Sequence, residues 1–317
     1  MSGAPNGVLA IVGATATGKS ALAVALAERL GGEVISADAF AIYRGLDAGT
    51  AKPTVAERRG IPHRFLDEKE PTEGWSAGEF GREARRAARE ALSRGRLPIL
   101  CGGTGFYVRS FFEGLFEGPR RDAGVRDALG AVHRRRGPGF LARAVALLDP
   151  PSAVHVGPND AVRATRLLEI ALATGRRPSE LFRERPGERW DGPAVKLLLS
   201  LPRPGLYGRI EERFRTVMRS QLPSEVERLL AAGVPPHAPA LAAIGYRDTV
   251  ELVRGRIGPD EWERRVVSAT RRFAKRQETW FRAERGLVEL RADRPDLVDA
   301  AAAAASSLFF PSEGGHS

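Results

Sequence analysis

The stretch Gly13-Ala14-Thr15-Ala16-Thr17-Gly18-Lys19-Ser20 matches the pattern G-x-x-x-x-G-K-[ST] in full, and no other segment narrows the available folds as much. An apolar run precedes it and Ala/Leu-rich helical spacing follows it, so residues 8–26 read as a buried strand, a glycine-bounded loop and a helix. The two glycines let the backbone curl until successive N–H groups face inward, and the helix beginning near Lys19 adds the positive end of its dipole. That chemistry binds anions. The whole loop, Gly13 through Ser20, is therefore a candidate phosphate cradle, with Lys19 as a point charge on the outer phosphate and the Ser20 hydroxyl as a ligand to Mg²⁺. A merely structural glycine turn would need neither the strand nor the helix.

At 317 residues the chain is long enough for one large domain or two smaller ones, and 43% hydrophobic content suits a globular protein. No run of eighteen apolar residues exists, and the first seven residues have neither a basic start nor an apolar signal core. Cys101 is the only cysteine, which excludes a disulfide within the chain and a cysteine-based zinc site. A cytoplasmic location without membrane contact is the expectation. The net charge of +10 asks for a polyanionic partner, and its distribution sharpens the point. Residues 120–189 hold 14 arginines against 8 acidic residues, and residues 264–285 hold 8 basic against 2 acidic ones. Such runs also serve as solvated faces, so charge alone does not name nucleic acid as the partner.

Further along, residues 33–38 read as a second short strand with Asp38 at its C-terminal end, the sheet edge that also carries the phosphate loop in a parallel α/β fold. Asp38 is thereby a candidate for chemistry. Residues 39–54 are too irregular for a long helix and read as a substrate-facing loop, residues 77–94 as a helix, and residues 97–101 as another buried strand ending in Gly102-Gly103-Thr104-Gly105. Between 116 and 190 the pattern is helical, with dense arginine and no convincing strand. A strand returns at 194–199, followed by long helical patterns at 207–232 and 260–285; the alanine run 300–305 suits a last helix, and residues 311–317 read as disordered. The predicted fold is α/β: a P-loop NTPase-like parallel sheet core interrupted by an all-helical insertion, with the core's first part over 1–114, the insertion over 115–193 and the second part, with C-terminal helices, over 194–317.

Taken in order, the phosphate loop, ISADAFAIYRGLDAGTAKPT, LPILCGGTGFYVRSFFEGL, HVGPNDAVRATRLLEIALATGR, AAIGYRD and RRFAKRQETWFR strongly resemble the tRNA dimethylallyltransferases over residues 8–285. The resemblance implies transfer of a dimethylallyl group from dimethylallyl diphosphate to N6 of the adenine 3′-adjacent to the anticodon, with release of diphosphate. It also implies that the insertion clasps the anticodon stem-loop; a monomer is the expectation for the protein's assembly. Asp38 matches the family's acid that takes the N6 proton, and Thr104 the threonine that contacts the target nucleotide. Lys19, Ser20 with Mg²⁺ and the loop amides would receive the departing diphosphate. Arg209 resembles an arginine that reaches the diphosphate, an ion pair with Glu212 being the plainer reading. Arg126, Arg163 and Arg166 fall where the family meets tRNA.

Three positions depart from the family pattern: Ala39 and Ala41 stand where polar residues are common after the second strand, and Val162 stands where glutamine is common. Two rival readings remain at this level. A small-molecule kinase using ATP suits the loop and the acid, although the strand ending in Cys101-Gly102-Gly103 offers no metal-binding aspartate. A non-catalytic, nucleotide-regulated RNA-binding module leaves Asp38 and Thr104 without a task.

Overall fold

The computed structural model describes residues 4–116, 118–119, 122–137, 139–184 and 187–309. The predicted terminal disorder at 311–317 lies outside them. Two compact units emerge, one formed by residues 1–112 together with 190–317 and the other by 113–189.

The first unit is built on a six-stranded, all-parallel sheet. Its strands are β1 (Val8–Gly13), β2 (Gly32–Ser36), β3 (His63–Arg64), β4 (Leu97–Gly102), β5 (Ala194–Ser200) and β6 (Leu287–Arg291), in the spatial order β3-β2-β4-β1-β5-β6. β1 sits between β4 and β5, with Ile11 beside Cys101 on one side and Leu197 on the other. All six of its residues are buried, which explains a continuous VLAIVG run instead of alternation: helices cover both faces of a parallel sheet. Each fully buried aliphatic side chain in such a strand contributes roughly 1.5–3 kcal/mol. Parallel pairing also brings the C-terminal ends of β1, β2 and β4 to one edge, and the loops that leave them become neighbours.

The helices of the first half are α1 (Lys19–Leu30), α2 (Val55–Arg58), α3 (Ala77–Ser93) and α4 (Gly105–Glu113). α3 shows how firmly a boundary can be written locally: Ser76 accepts from the Glu79 amide while the Glu79 side chain returns to the Ser76 amide. From there Phe80, Ala84, Ala87, Ala88 and Ala91 repeat at helical spacing on the buried face. Residues 39–54 form turns without a long helix.

The second unit holds α5 (Ala123–Arg136), α6 (Phe140–Leu148), α7 (Pro150–Ala153), α8 (Ala161–Thr174) and α9 (Pro178–Glu184), with no strand among its described residues. Its own small core gathers Leu141, Val145, Ala164, Leu167 and Leu168. The buried Asp149 knits it further, accepting from the Ser152 hydroxyl at 2.6 Å and from the Ser179 hydroxyl and amide at 2.6 and 2.8 Å.

After β5 the chain runs through α10 (Arg203–Arg213), a π-helical turn at Phe214–Met218 and α11 (Arg219–Ala231) as consecutive helical segments without a break. α12 (Tyr246–Val253), α13 (Pro259–Ala283), β6 and α14 (Leu297–Ala305) complete the first unit. α13 opens on Pro259 with Asp260 and Glu261 in its first turn, the charges that its N-terminus favours, and buries Trp262, Val266, Ala274, Gln277 and Phe281 along one stripe.

Candidate active site

Gly13 closes β1 with φ 147°, and a Cβ there would lie 2.4 Å from the Leu199 carbonyl oxygen on β5. Only glycine lets the loop leave the sheet at that point. Gly18, at φ 94°, forms the left-handed cap from which α1 starts, and Ala16 is held at φ 64°, a conformation that costs a non-glycine residue about 1–3 kcal/mol. Within the loop the Ala14 carbonyl collects two donors, the Thr17 hydroxyl at 2.8 Å and Lys19 Nζ at 2.6 Å. The ammonium is thereby folded over the curled backbone.

Two further loops arrive at the same sheet edge. Asp38 lies two residues beyond β2, and its Oδ1 accepts the amides of Phe40 at 2.9 Å and Ala41 at 3.2 Å. This turn fixes the carboxylate by one oxygen, while Oδ2 has no hydrogen-bond partner among the described residues. Thr104, just past β4, accepts the Ala39 amide on its hydroxyl at 3.1 Å and donates its own amide to the Ala37 carbonyl at 3.2 Å. Its side chain thus laces the β4 loop to the loop that carries Asp38. Ala39 contributes through its backbone, so the loss of a polar side chain at that position leaves this bond intact.

Lys19, Asp38, Cys101 and Arg213 are close enough to feel one another's charge. Burial pulls the Lys19 pKa down, Arg213 adds to that, and Cys101 and Asp38 oppose it. A bound polyphosphate would oppose it further. Burial likewise pushes the Cys101 thiol up to about 11 from 9.0, despite the pull of Lys19. At pH 8 this lowers the thiolate fraction about 100-fold. Cys101 should therefore resist a disulfide reagent in the native protein and react at the normal rate in denaturant; rapid native labelling would contradict the buried, protonated thiol.

Arg209, on α10, donates through Nη1 to the Thr17 carbonyl at 3.4 Å. The ion pair with Glu212 does not form, because Glu212 pairs with Arg215 at 2.6 Å and the neighbouring Glu211 pairs with Arg271. Arg213, one turn further, escaped the sequence reading. It donates to the carbonyls of Ala48 and Gly49 at 2.9 and 3.0 Å. Glu225 on α11 takes the same loop by its amides, accepting from Asp47 at 3.1 Å and Ala48 at 2.9 Å, and bonds the Tyr246 hydroxyl as well. Burial raises the Glu225 carboxyl pKa, with the Tyr246 hydroxyl and those amides pulling the other way.

Residues 41–284 match the profile of the IPP transferase family. The chain belongs to that family. As a family member it is a prenyl transferase, and the kinase reading is set aside. The tRNA dimethylallyltransferase of Anaeromyxobacter dehalogenans strain 2CP-C is 46% identical over 280 residues, spanning 88% of this chain and 92% of that protein. That of Thermomicrobium roseum is 44% identical over 277 residues, spanning 87% and 83%. Among solved structures, the full-length tRNA isopentenylpyrophosphate transferase of Bacillus halodurans superposes with a TM-score of 0.69 at 33% identity, covering 96% of this chain and 98% of that one. A eukaryotic dimethylallyltransferase acting on tRNA gives 0.78 at 26% identity, covering 95% and 78%.

In this IPP transferase the three arginines singled out in the helical unit differ in their surroundings. Glu169, fully buried, accepts the Asp122 amide at 2.7 Å and the Arg166 guanidinium at 2.8 Å, and Arg126 approaches it at 3.9 Å. Arg166 also donates to the Pro119 carbonyl at 2.9 Å. Arg163 is more exposed, bonding the His155 carbonyl at 2.6 Å and lying 3.6 Å from Asp160. Removing Arg166 strips a buried carboxylate of its nearest cation, so Arg166→Ala should destabilise the 113–189 unit by about 1.5–3 kcal/mol, the range for a lost hydrogen bond to a charged group. Hydrogen exchange of α5 and α8 would show it, and Arg163→Ala should leave the exchange unchanged. Equal exchange in both variants would mean that Arg166 has no structural share.

Proposed function

We propose that this chain transfers the dimethylallyl group of dimethylallyl diphosphate to N6 of the adenine 3′-adjacent to the anticodon of tRNA, in the cytoplasm, with Asp38 as the base. One observation carries this reading: the phosphate loop and a carboxylate with one oxygen tied down and the other open leave the same edge of the parallel sheet. The N6 lone pair is delocalised into the purine ring, so the amine becomes an effective nucleophile only as its proton is accepted. In the proposed step N6 bonds C1 of the dimethylallyl group, the C1–O bond breaks with its electron pair going to diphosphate, and the N6 proton passes to Asp38 Oδ2. Thr104 orients the Asp38 loop through the Ala39 amide and offers its hydroxyl to the target nucleotide.

The leaving group gains negative charge as the bond breaks, and the loop amides, Lys19 and Arg209 are the groups that would meet it. The Ser20 hydroxyl is a hard oxygen donor beside the anion cradle and fits a Mg²⁺ ion carried in on the diphosphate, which would supply further positive charge there. Among the described residues no group of three or more His, Cys, Asp or Glu could hold a metal. Any such ion would rest on Ser20 and the substrate's own oxygens.

The test incubates the protein with Mg²⁺, unmodified tRNA and either dimethylallyl diphosphate or ATP, then digests the RNA and weighs its nucleosides. Adenosine heavier by one dimethylallyl group, formed with the prenyl donor only, supports the reading. The target base must leave its stack at a cost of a few kcal/mol, so an anticodon stem-loop should serve and a fully paired RNA should not. For the RNA-facing role of the helical unit, Arg163→Ala should lower the salt slope of tRNA binding by about one phosphate contact. An unchanged slope would leave Arg163 as an ordinary surface residue. Arg166 is unsuited to that measurement because it also holds Glu169.

A further inference from the structure

Gln277 belongs to none of the roles above, yet it is buried in α13 with both ends of its amide committed. Oε1 accepts the Thr15 amide of the phosphate loop at 2.8 Å, and Nε2 donates to the Gly103 carbonyl at 2.8 Å. Gly103 precedes Thr104, whose hydroxyl takes the Ala39 amide next to Asp38. A continuous path therefore runs from Thr15 through Gln277, Gly103, Thr104 and Ala39 to Asp38. Gly103 itself is fitted to this joint, since a Cβ there would lie 2.2 Å from Gln277 Nε2.

We infer that Gln277 is a positioning residue for transfer, holding the loop that receives the diphosphate in register with the loop that carries the base. The inference rests on the function proposed above. Its physical basis is that the phosphate loop and the Asp38 turn are each shaped by short-range bonds of their own, so neither needs Gln277 to form. Their separation is another matter, because the reacting nitrogen, the dimethylallyl carbon and the leaving oxygen must line up between them. A displacement of about 1 Å across such a site can lower a rate by about 10²-fold while each half still binds its ligand.

The experiment compares wild type, Gln277→Leu, Gly103→Ala and the double variant, measuring inorganic diphosphate affinity, tRNA affinity and the single-turnover rate with both substrates saturating. Both single variants should bind diphosphate and tRNA within about threefold of wild type and transfer about 10²-fold more slowly. Because both break one joint, the double variant should be no slower than the worse single one. Rates near wild type, full recovery on saturating dimethylallyl diphosphate, or losses that multiply in the double variant would each overturn the inference. Should Gln277→Leu fail to fold, Gly103→Ala decides by the same rate criterion, since that position has no left-handed backbone to strain. The wild-type arm separates the two levels: no dimethylallyl transfer by wild type refutes the function, whereas active wild type with equally active variants refutes only the role of Gln277.

Discussion

Asp38→Asn is expected to slow single-turnover dimethylallyl transfer by about 10²-fold or more while leaving tRNA affinity nearly unchanged. Asparagine keeps an oxygen that can accept the Phe40 and Ala41 amides now held by Oδ1, so the turn should persist. What it lacks is a second oxygen able to take a proton, since an amide nitrogen stands in that place. The change thus isolates proton acceptance from loop shape. Rapid-quench transfer with saturating donor, together with filter binding of tRNA, measures the two separately. A near-normal rate would remove Asp38 from the mechanism, and a collapse of tRNA binding would recast it as a recognition residue.

Lys19→Ala should cost more, at least about 10³-fold in turnover, by taking away the cation that meets charge as it develops on the leaving diphosphate. Lys19 is pulled toward neutrality by burial when alone, so the site has set a positive charge where water screens it poorly, and an anion is the partner that relieves that situation. The variant should also lose affinity for inorganic diphosphate in calorimetry. The fold should survive, because the Nζ bond to Ala14 is a single bond within a loop that Thr17 also ties to the same carbonyl. Turnover within tenfold of wild type would show that the backbone amides and Arg209 suffice without Lys19.

The parts of this protein that could be read from sequence are those specified by neighbours in the chain. The apolar run into Gly13, the Ser76–Glu79 box that opens α3 and the Leu97–Gly102 strand are all local statements, and the structure has each of them. β3 has only two residues, too few for any pattern, and β6, an edge strand reading LVELR with Val288 and Glu289 exposed, carries no buried run to betray it. The site divides in the same way. The phosphate loop and Asp38 announce themselves through motif and position, whereas Gln277 meets Thr15 across 262 residues of chain and Arg213 meets Gly49 across 164. Gln277 lies inside a stretch dominated by lysine and arginine, and nothing in its spacing separates a buried glutamine that braces a loop from a polar residue on a wet surface. Its regular spacing with Ala274 and Phe281 along the α13 stripe is the one signal available, and it says buried without saying to what purpose.

The π-helical turn at Phe214–Met218 governs which way two side chains point. Arg213 and Glu225 are 12 positions apart, which in an uninterrupted α-helix is about three and a third turns and would leave them about 120° out of phase. A π turn absorbs about one residue without advancing the face, leaving an effective spacing close to three whole turns. The guanidinium and the carboxylate then come round to the same side, where one takes the carbonyls and the other the amides of residues 47–49. Excising one residue between 214 and 218 would turn this segment into ordinary α-helix and keep Arg213 and Glu225 within about 20° of one face. Straightening the turn with every residue kept would instead rotate everything downstream by roughly a quarter of a turn, and Glu225 would swing off its amides. A helix without the extra residue would need no π turn, and a helix that carries it cannot present Arg213 and Glu225 together without one.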